Sequence, residues 1–477
     1  MNGPDPSSFV VPQLSSIPFA IPPAADALPD LNVLPPGPAS QAWLRRCKAA
    51  ESANVTAVAA DFPVVWASAR GAAVRDVDGN TYIDATSAFG VALIGHSHPE
   101  VLEAISQQAS SLVHGMGDVH PPAVRIALLE ALQAVAPGDL GHAVLCSGGA
   151  EAVEVALKTA LLATAKPGVI AFSGSYHGLG HGALDVTSRR DFRAPFASQL
   201  ARNTQWVPYP DPRQPPVGVA VDQVLAHVLQ RVEDIIAHPA QGGVPIGAVL
   251  CEPIQGRGGS LLPPPGFLPA LRALCDRHGV LLILDEIFTG FGRTGRLFAC
   301  EHVGVLPDLL CVGKALGGGM PISACLGRPS VMAAWHESTG EALHTSTFLG
   351  HPLACAAALA TLRVILRDRI ADQAAIQGLA WQAQLREALT SPWVEDIRGQ
   401  GLMLGVELRN PHNGQPAPEV AWATVVAALR RGVLLLPCGV FGHVIQLTPP
   451  AVMTPAQRTC VIAALVAGLE QAVARQG

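Results

Sequence analysis

Lysine is scarce in this chain: four residues in 477, at positions 48, 158, 166 and 314, against 27 arginines. Runs of basic residues are missing too, and the net charge is only −6. Both facts argue against nucleic acid or an anionic membrane surface as the main partner. The ten cysteines form no C-x-x-C pair and are scattered from Cys47 to Cys460. That pattern reads as free thiols in a reducing compartment. No apolar run reaches the length of a membrane span. The N-terminus lacks the basic stretch and apolar core of a secretory signal, and no internal repeat is visible. The expectation is a soluble, cytoplasmic protein without membrane or nucleic-acid partners. The length suits two domains, and 49% hydrophobic residues can fill a large core.

Against that scarcity Lys314 stands out. It lies in "DLLCVGKALGGGMP" (308–321), between an apolar strand and a run of glycines. A surface lysine needs only water. Burial at a strand end would lower its pKa from about 10.4 and make it a nucleophile.

Residues 1–40 begin with ten prolines in the first 38 positions and show little periodicity. They read as an irregular arm, suited to lie on a partner surface. Asp78-Gly79 in "VRDVDGNTYIDATSAFG" (74–90) predicts a hairpin. From about 100 to 350, helical patterns alternate with the apolar segments 142–146, 168–173, 246–252, 280–286 and 308–314. Strands without polar alternation, separated by helices, predict an α/β fold with a mostly parallel sheet covered on both faces. Beyond 355 come Ala/Leu-rich helices and isolated strands such as 432–437. Thr454-Pro455 predicts a helix start. We assign 96–354 to a large domain, and 41–95 with 355–477 to a smaller α+β domain built from both chain ends.

The turns after these strands are where an open parallel sheet binds ligands. "CSGGAEAVEVALK" (146–158) puts two glycines before a helix. They serve either as a phosphate-binding helix N-terminus or as a tight turn alone. Tyr176 in "SGSYHG" either stacks on a flat ring or belongs to the core. Asp285 follows four apolar residues, so it needs a cationic partner if buried, such as a pyridinium nitrogen, unless it caps the next turn. With Lys314 these form the set that pyridoxal phosphate requires. Gly313-Lys314 is not a P-loop: Asp308 replaces its first glycine and Ala315 its Ser/Thr. "GLGHG" (178–182) lacks the third glycine of a dinucleotide fingerprint. His96 and His98 have no third metal ligand nearby and read as structural, so no metal is expected.

Taken together and in order, "DVDGNTYID", "GHSHP", "SGGAEAVEVALK", "SYHG", "EPIQGRGG", "LDEIFTGFGRTG", "PDLLCVGKALGGGMP", "HTSTFLGHPLACAAALAT" and "TPP" resemble the class III aminotransferases. These are fold type I pyridoxal phosphate enzymes, and the resemblance runs from about residue 41 to the C-terminus. It implies a homodimer with a shared active site and a ping-pong exchange between an amine or amino acid and a 2-oxo acid. It implies that Lys314 binds the cofactor covalently, that Asp285 meets the pyridine nitrogen, and that Gly149 and Ala150 offer amides to the phosphate. Thr347 would reach the phosphate from the other subunit, and Tyr176 and Ile287 would sandwich the ring. Phe89, Arg257 and Gln446 are the candidate substrate residues.

Three positions depart from members acting on 4-aminobutyrate or diamines. Phe288 stands where many have glutamine, Arg257 where many have glutamate, and Gln446 where many have a carboxylate-binding arginine. Arg257 is therefore expected either to bind a substrate carboxylate or to pair with a surface acid. "VPYPDPR" and "GMPISA" are similar to racemase members of the same fold. A racemase, an epimerase or a lyase is the alternative activity, and a regulator that binds the cofactor without turnover finds no support in a DNA-binding segment or basic face.

Overall fold

The computed structural model describes residues 17, 20–238 and 243–476. At its centre is a seven-stranded sheet. Its strands lie in the order His142–Cys146, Ser323–Gly327, Leu309–Val312, Leu281–Asp285, Ile246–Cys251, Gly168–Phe172 and Thr204–Val207. Six run one way, and Ser323–Gly327 runs against both of its neighbours.

The apolar runs explain the burial. Successive residues of a strand face opposite sides, and here both sides are apolar clusters. Ile170, Phe172, Leu282, Leu284, Leu310 and Val312 enter one. Val169, Ala171, Ile283, Leu309 and Cys311 enter the other, with Ala152, Val153 and Ala156 of the helix Gly149–Thr164. Each fully buried Val, Leu or Ile contributes roughly 1.5–3 kcal/mol. A strand read as continuous apolar sequence is therefore stable only between two such layers.

Two four-stranded sheets flank this core. One joins Trp66–Arg70, Ala73–Asp76 and Thr81–Asp84 to Val433–Leu434 from the far end of the chain. Its hairpin turns at Gly79, whose φ of +86° suits glycine, and Asp76 accepts the amides of Asp78 and Asn80. The other sheet is antiparallel: Val394–Gln400, Met403–Leu408, Val444–Leu447 and Leu436–Cys438. The segment 432–437 is thus not one strand. It splits after Leu434 and serves two sheets, with Pro437 on an edge strand where its missing N–H costs nothing. The helix Pro455–Val473 begins as expected, with a Thr454–Gln457 capping box. The helix Pro352–Arg367 crosses position 355 without a break and packs on the helices Pro99–Ser111 and Ala123–Val135.

Most of the arm's first residues (1–16, 18 and 19) lie outside the described part of the chain. What is described lies on its own chain: Asp30 and Thr81 exchange both backbone hydrogen bonds (3.1 and 2.7 Å), and the Gln457 amide donates to Ala25 and Ala27 carbonyls. No helix among the described residues is long and apolar enough to cross a membrane.

Arg293 ties these parts together. It is fully buried and donates to the carbonyls of Leu402 (3.2 Å), Pro449 (2.6 Å) and Gly90 (3.3 Å). Burial pushes its pKa down to about 9. Replacing it by alanine strands three carbonyls, and hydrogen bonds to charged groups contribute about 1.5–3 kcal/mol each. We expect Arg293→Ala to lose about 3 kcal/mol or more of stability, read as a lower urea midpoint with an unchanged slope.

Candidate active site

A cavity of about 540 Å³ opens where five of the six parallel strands end. Each turn that lines it follows a different strand. Ser147–Ala150 follow Cys146, Tyr176–Leu179 follow Phe172, Glu252–Arg257 follow Cys251, Asp285–Phe288 end the next strand, and Lys314 follows Val312. Lys314, Asp285, Gly149, Ala150, Tyr176, Ile287 and Arg257 thus converge on one space.

Lys314 has φ +43° and begins a single turn of 3₁₀ helix. Its Nζ lies 4.3 Å from the centre of the Phe288 ring. It forms no ion pair with any carboxylate among the described residues, the nearest acids being engaged elsewhere. Burial lowers its pKa to about 8, and Arg257 and Arg293 add to the shift while Asp285 and Glu252 oppose it.

Asp285 is buried with both oxygens taken. His177 Nδ1 lies 2.7 Å from Oδ2, and the Ile287 amide donates to Oδ1 (3.0 Å). Within this chain's own residues the polar partner of the buried carboxylate is the His177 ring. Its Nε2 is buried without a partner. His177 was missed as a site residue. No sequence spacing pointed to it, since the strand Ile246–Cys251 lies between Gly168–Phe172, which its turn follows, and Leu281–Asp285. Glu252 accepts the Tyr176 and Gly256 amides (3.0 and 2.9 Å), and burial pushes its pKa up.

At the mouth, the Arg257 guanidinium carbon lies 4.9 Å from the Tyr176 ring centre and 5.8 Å from that of Phe89. Phe89 is 59% exposed, on a turn where Ser87, Ala88, Phe89 and Gly90 all have positive φ. Asp84 holds that turn through the Thr86 amide and hydroxyl and the Ala88 amide, and His96 Nε2 pairs with Asp84 at 2.8 Å. His96 is accordingly a structural partner. Phe288 fits because Gly90 and Gly256 leave room: a Cβ on either would come within 2.4 Å of its ring.

Two candidates lie apart. Gln446, expected from sequence as a substrate residue, is not among the residues that line the cavity. Its amide is committed to the Gly256 carbonyl (3.1 Å) and Ser260 Oγ (3.2 Å), across the turn that carries Arg257. Thr347 is exposed and outside the cavity of its own chain.

The site fits a phosphorylated pyridinium cofactor. The first-turn amides of Gly149 and Ala150 have no acceptor within their helix, and the space beside Gly148 is open, since a Cβ there would meet nothing within 4 Å. An unpaired amine, a buried carboxylate and a flanking aromatic face the same space.

The comparisons agree. The family model for aminotransferase class III matches residues 55–469. A 4-aminobutyrate aminotransferase of Mycobacterium tuberculosis is 38% identical over 427 residues, 87% of this chain and 92% of the relative. An alanine/serine racemase of Pyrococcus horikoshii is 33% identical over 447 residues, 92% of each chain. A solved amine transaminase from an uncultivated Pseudomonas species, in its pyridoxal phosphate-bound form, superposes with a TM-score of 0.81 at 30% identity, covering 90% of this chain and 99% of that one.

A pKa near 8 has a direct consequence. With the cofactor removed, acylation of Lys314 by a small amine reagent should be slow at pH 6, where the ammonium dominates, and rise with a midpoint near pH 8. Peptide mapping across pH reads this; a midpoint near the ordinary 10.4 would show a solvated lysine. The chain belongs to the class III aminotransferase family, whose fold type I architecture it has, and its cofactor is pyridoxal phosphate.

Proposed function

We propose that Lys314 is the residue that holds the cofactor and then moves the proton as the chain passes an amino group from an amine or amino acid to a 2-oxo acid. Pyridoxal phosphate, when bound, supplies an electron sink for charge left on the substrate carbon. The observation that carries this reading is the Lys314 amine itself, which has no ion-pair partner and a pKa lowered to about 8. An amine so poised is a nucleophile toward the cofactor and, once displaced, a base for the proton on the substrate carbon.

The other roles follow from chemistry at named atoms. The Asp285 carboxylate, positioned by His177 and the Ile287 amide, would keep the proton on the ring nitrogen of the bound cofactor. Gly149 and Ala150 amides bind phosphate, and Tyr176 and Ile287 flank the ring. Arg257 forms no ion pair within the described residues, unlike Arg213, paired with Asp211 at 2.8 Å, so it is free for a substrate carboxylate. Phe89 borders that position.

The active unit in this reading is a homodimer in the cytoplasm. Val113, Met116, Leu343 and Phe348 are exposed apolar side chains on two segments that touch, with His114 and Phe348 rings 5.2 Å apart. An exposed apolar surface of this kind marks an interface. It carries Thr347, consistent with that residue serving the partner's site. Ten free cysteines suit a reducing compartment.

The deciding experiment uses holoenzyme. Borohydride reduction should fix the cofactor on Lys314, and a primary amine followed by a 2-oxo acid should give one full exchange. Recovered amino-acid donor should keep its chirality; racemised donor without exchange would mean the racemase activity. Asp285→Asn should still fix the cofactor on Lys314 yet slow the amine half-reaction at least a hundredfold. Wild-type rates there would reduce Asp285 to a turn cap. Arg257→Ala should lose roughly tenfold to a hundredfold in kcat/KM on a carboxylated donor, matching about 1.5–3 kcal/mol for a charge-assisted bond. An uncharged amine should lose little. Equal losses on both would move the carboxylate anchor elsewhere.

A further inference from the structure

Arg257 has a companion. Arg189, which precedes the short helix Arg190–Arg193, grips the same glycine from the other side. Its Nη2 donates to the Gly439 carbonyl (3.0 Å), while the Gly439 amide donates to the Arg257 carbonyl (3.0 Å). Rings continue the link. The Arg257 guanidinium lies 4.9 Å from the Tyr176 centroid, Tyr176 meets Phe192 edge-on at 5.9 Å, and the Arg189 guanidinium lies 5.9 Å from Phe192.

Two nearby arginines are neutralised, Arg193 by Asp185 (3.8 Å) and Arg398 by Glu407 (2.6 Å), while Arg190 is exposed. Among the described residues Arg189 and Arg257 pair with no carboxylate, and partial burial together with the Arg257 charge pushes the Arg189 pKa down. Two arginines tied to one glycine and left without a counterion favour an anion between or across them, and planar forks suit carboxylates. Arg257 lines the cavity that holds Lys314, whereas Arg189 lies past Tyr176 and Phe192, farther from the reacting amine.

We propose that Arg189 is a second anion-binding, specificity-determining residue, which takes the outer carboxylate of a dicarboxylic substrate whose inner carboxylate is held by Arg257. This rests on the reading of Arg257 given above. Neither arginine touches the reacting atoms, so both act on substrate choice.

The test is equilibrium binding of two unreactive acids to the holoenzyme by calorimetry: glutarate, with two carboxylates, and butyrate, with one. Glutarate should bind wild type at least tenfold more tightly. Arg189→Gln should abolish that preference with butyrate unchanged, Arg189→Lys should keep part of it, and Arg257→Gln should weaken both acids. Equal binding of the two acids by wild type overturns the proposal. So does an equal loss for both acids in Arg189→Gln, which would mean that Arg189 only supports the Gly439 turn. The reaction of wild type with an uncharged amine is measured alongside. Its failure would overturn transamination, while the binding ratio still decides the anion site.

Discussion

Lys314 Nζ shares its cavity with two carboxylates and pairs with neither. A lysine left beside a free carboxylate would form an ion pair, its pKa would rise, and it would cease to be a nucleophile. Here both acids are occupied. Asp285 is taken by His177 and the Ile287 amide, and Glu252 by the amides of Tyr176 and Gly256. The groups that occupy them come from the ends of different strands, so the amine depends on the register of the whole sheet. A one-residue slip would turn Asp285 or the Lys314 turn to the wrong face. That is why two buried apolar layers, rather than one, lie behind this site.

The same dependence explains the strained turn at the mouth. Ser87, Ala88 and Phe89 sit in the left-handed region, at about 1–2 kcal/mol each. Several contacts offset this. Asp84 accepts from Thr86 and Ala88, Ser87 Oγ donates to the Thr448 carbonyl (2.6 Å), and Arg293 donates to Gly90. Strain of this kind persists only where its surroundings over-determine it. What it provides is position: Phe89 stands over Arg257, and Gly90 makes room for the Phe288 ring against which the lysine amine lies.

Much of the frame was legible in the sequence because apolar strands and glycine turns obey local rules. Five of the seven central strands were readable as apolar runs. Ser323–Gly327 was not: "ISACLG" has the same small apolar character but follows a glycine-rich turn, and its reversed direction is set by its two neighbours. Thr204–Val207 is a short edge strand with polar residues and carries little periodic signal. Asp285 was legible because an aspartate after four apolar residues demands a partner. That the partner is His177 was not, since a sheet crossing of 108 residues leaves no spacing to read. The contacts of Gln446 were illegible for a related reason. Its position matched a family pattern, but whether an amide faces a ligand or a backbone carbonyl is decided by the turn beside it.

The three departures from the family pattern depend on one another. Gln446 donates to the Gly256 carbonyl, one residue from Arg257, so a guanidinium at 446 would bring another cation beside Arg257 and Arg189. A neutral residue at 446 adds no further positive charge beside that pair. Phe288 fits the same scheme. Gly256, which receives the Gln446 bond, is also the residue whose missing side chain admits the Phe288 ring. The ring in turn gives the Lys314 amine an aromatic face, which stabilises a cation without offering it a hydrogen-bonding partner.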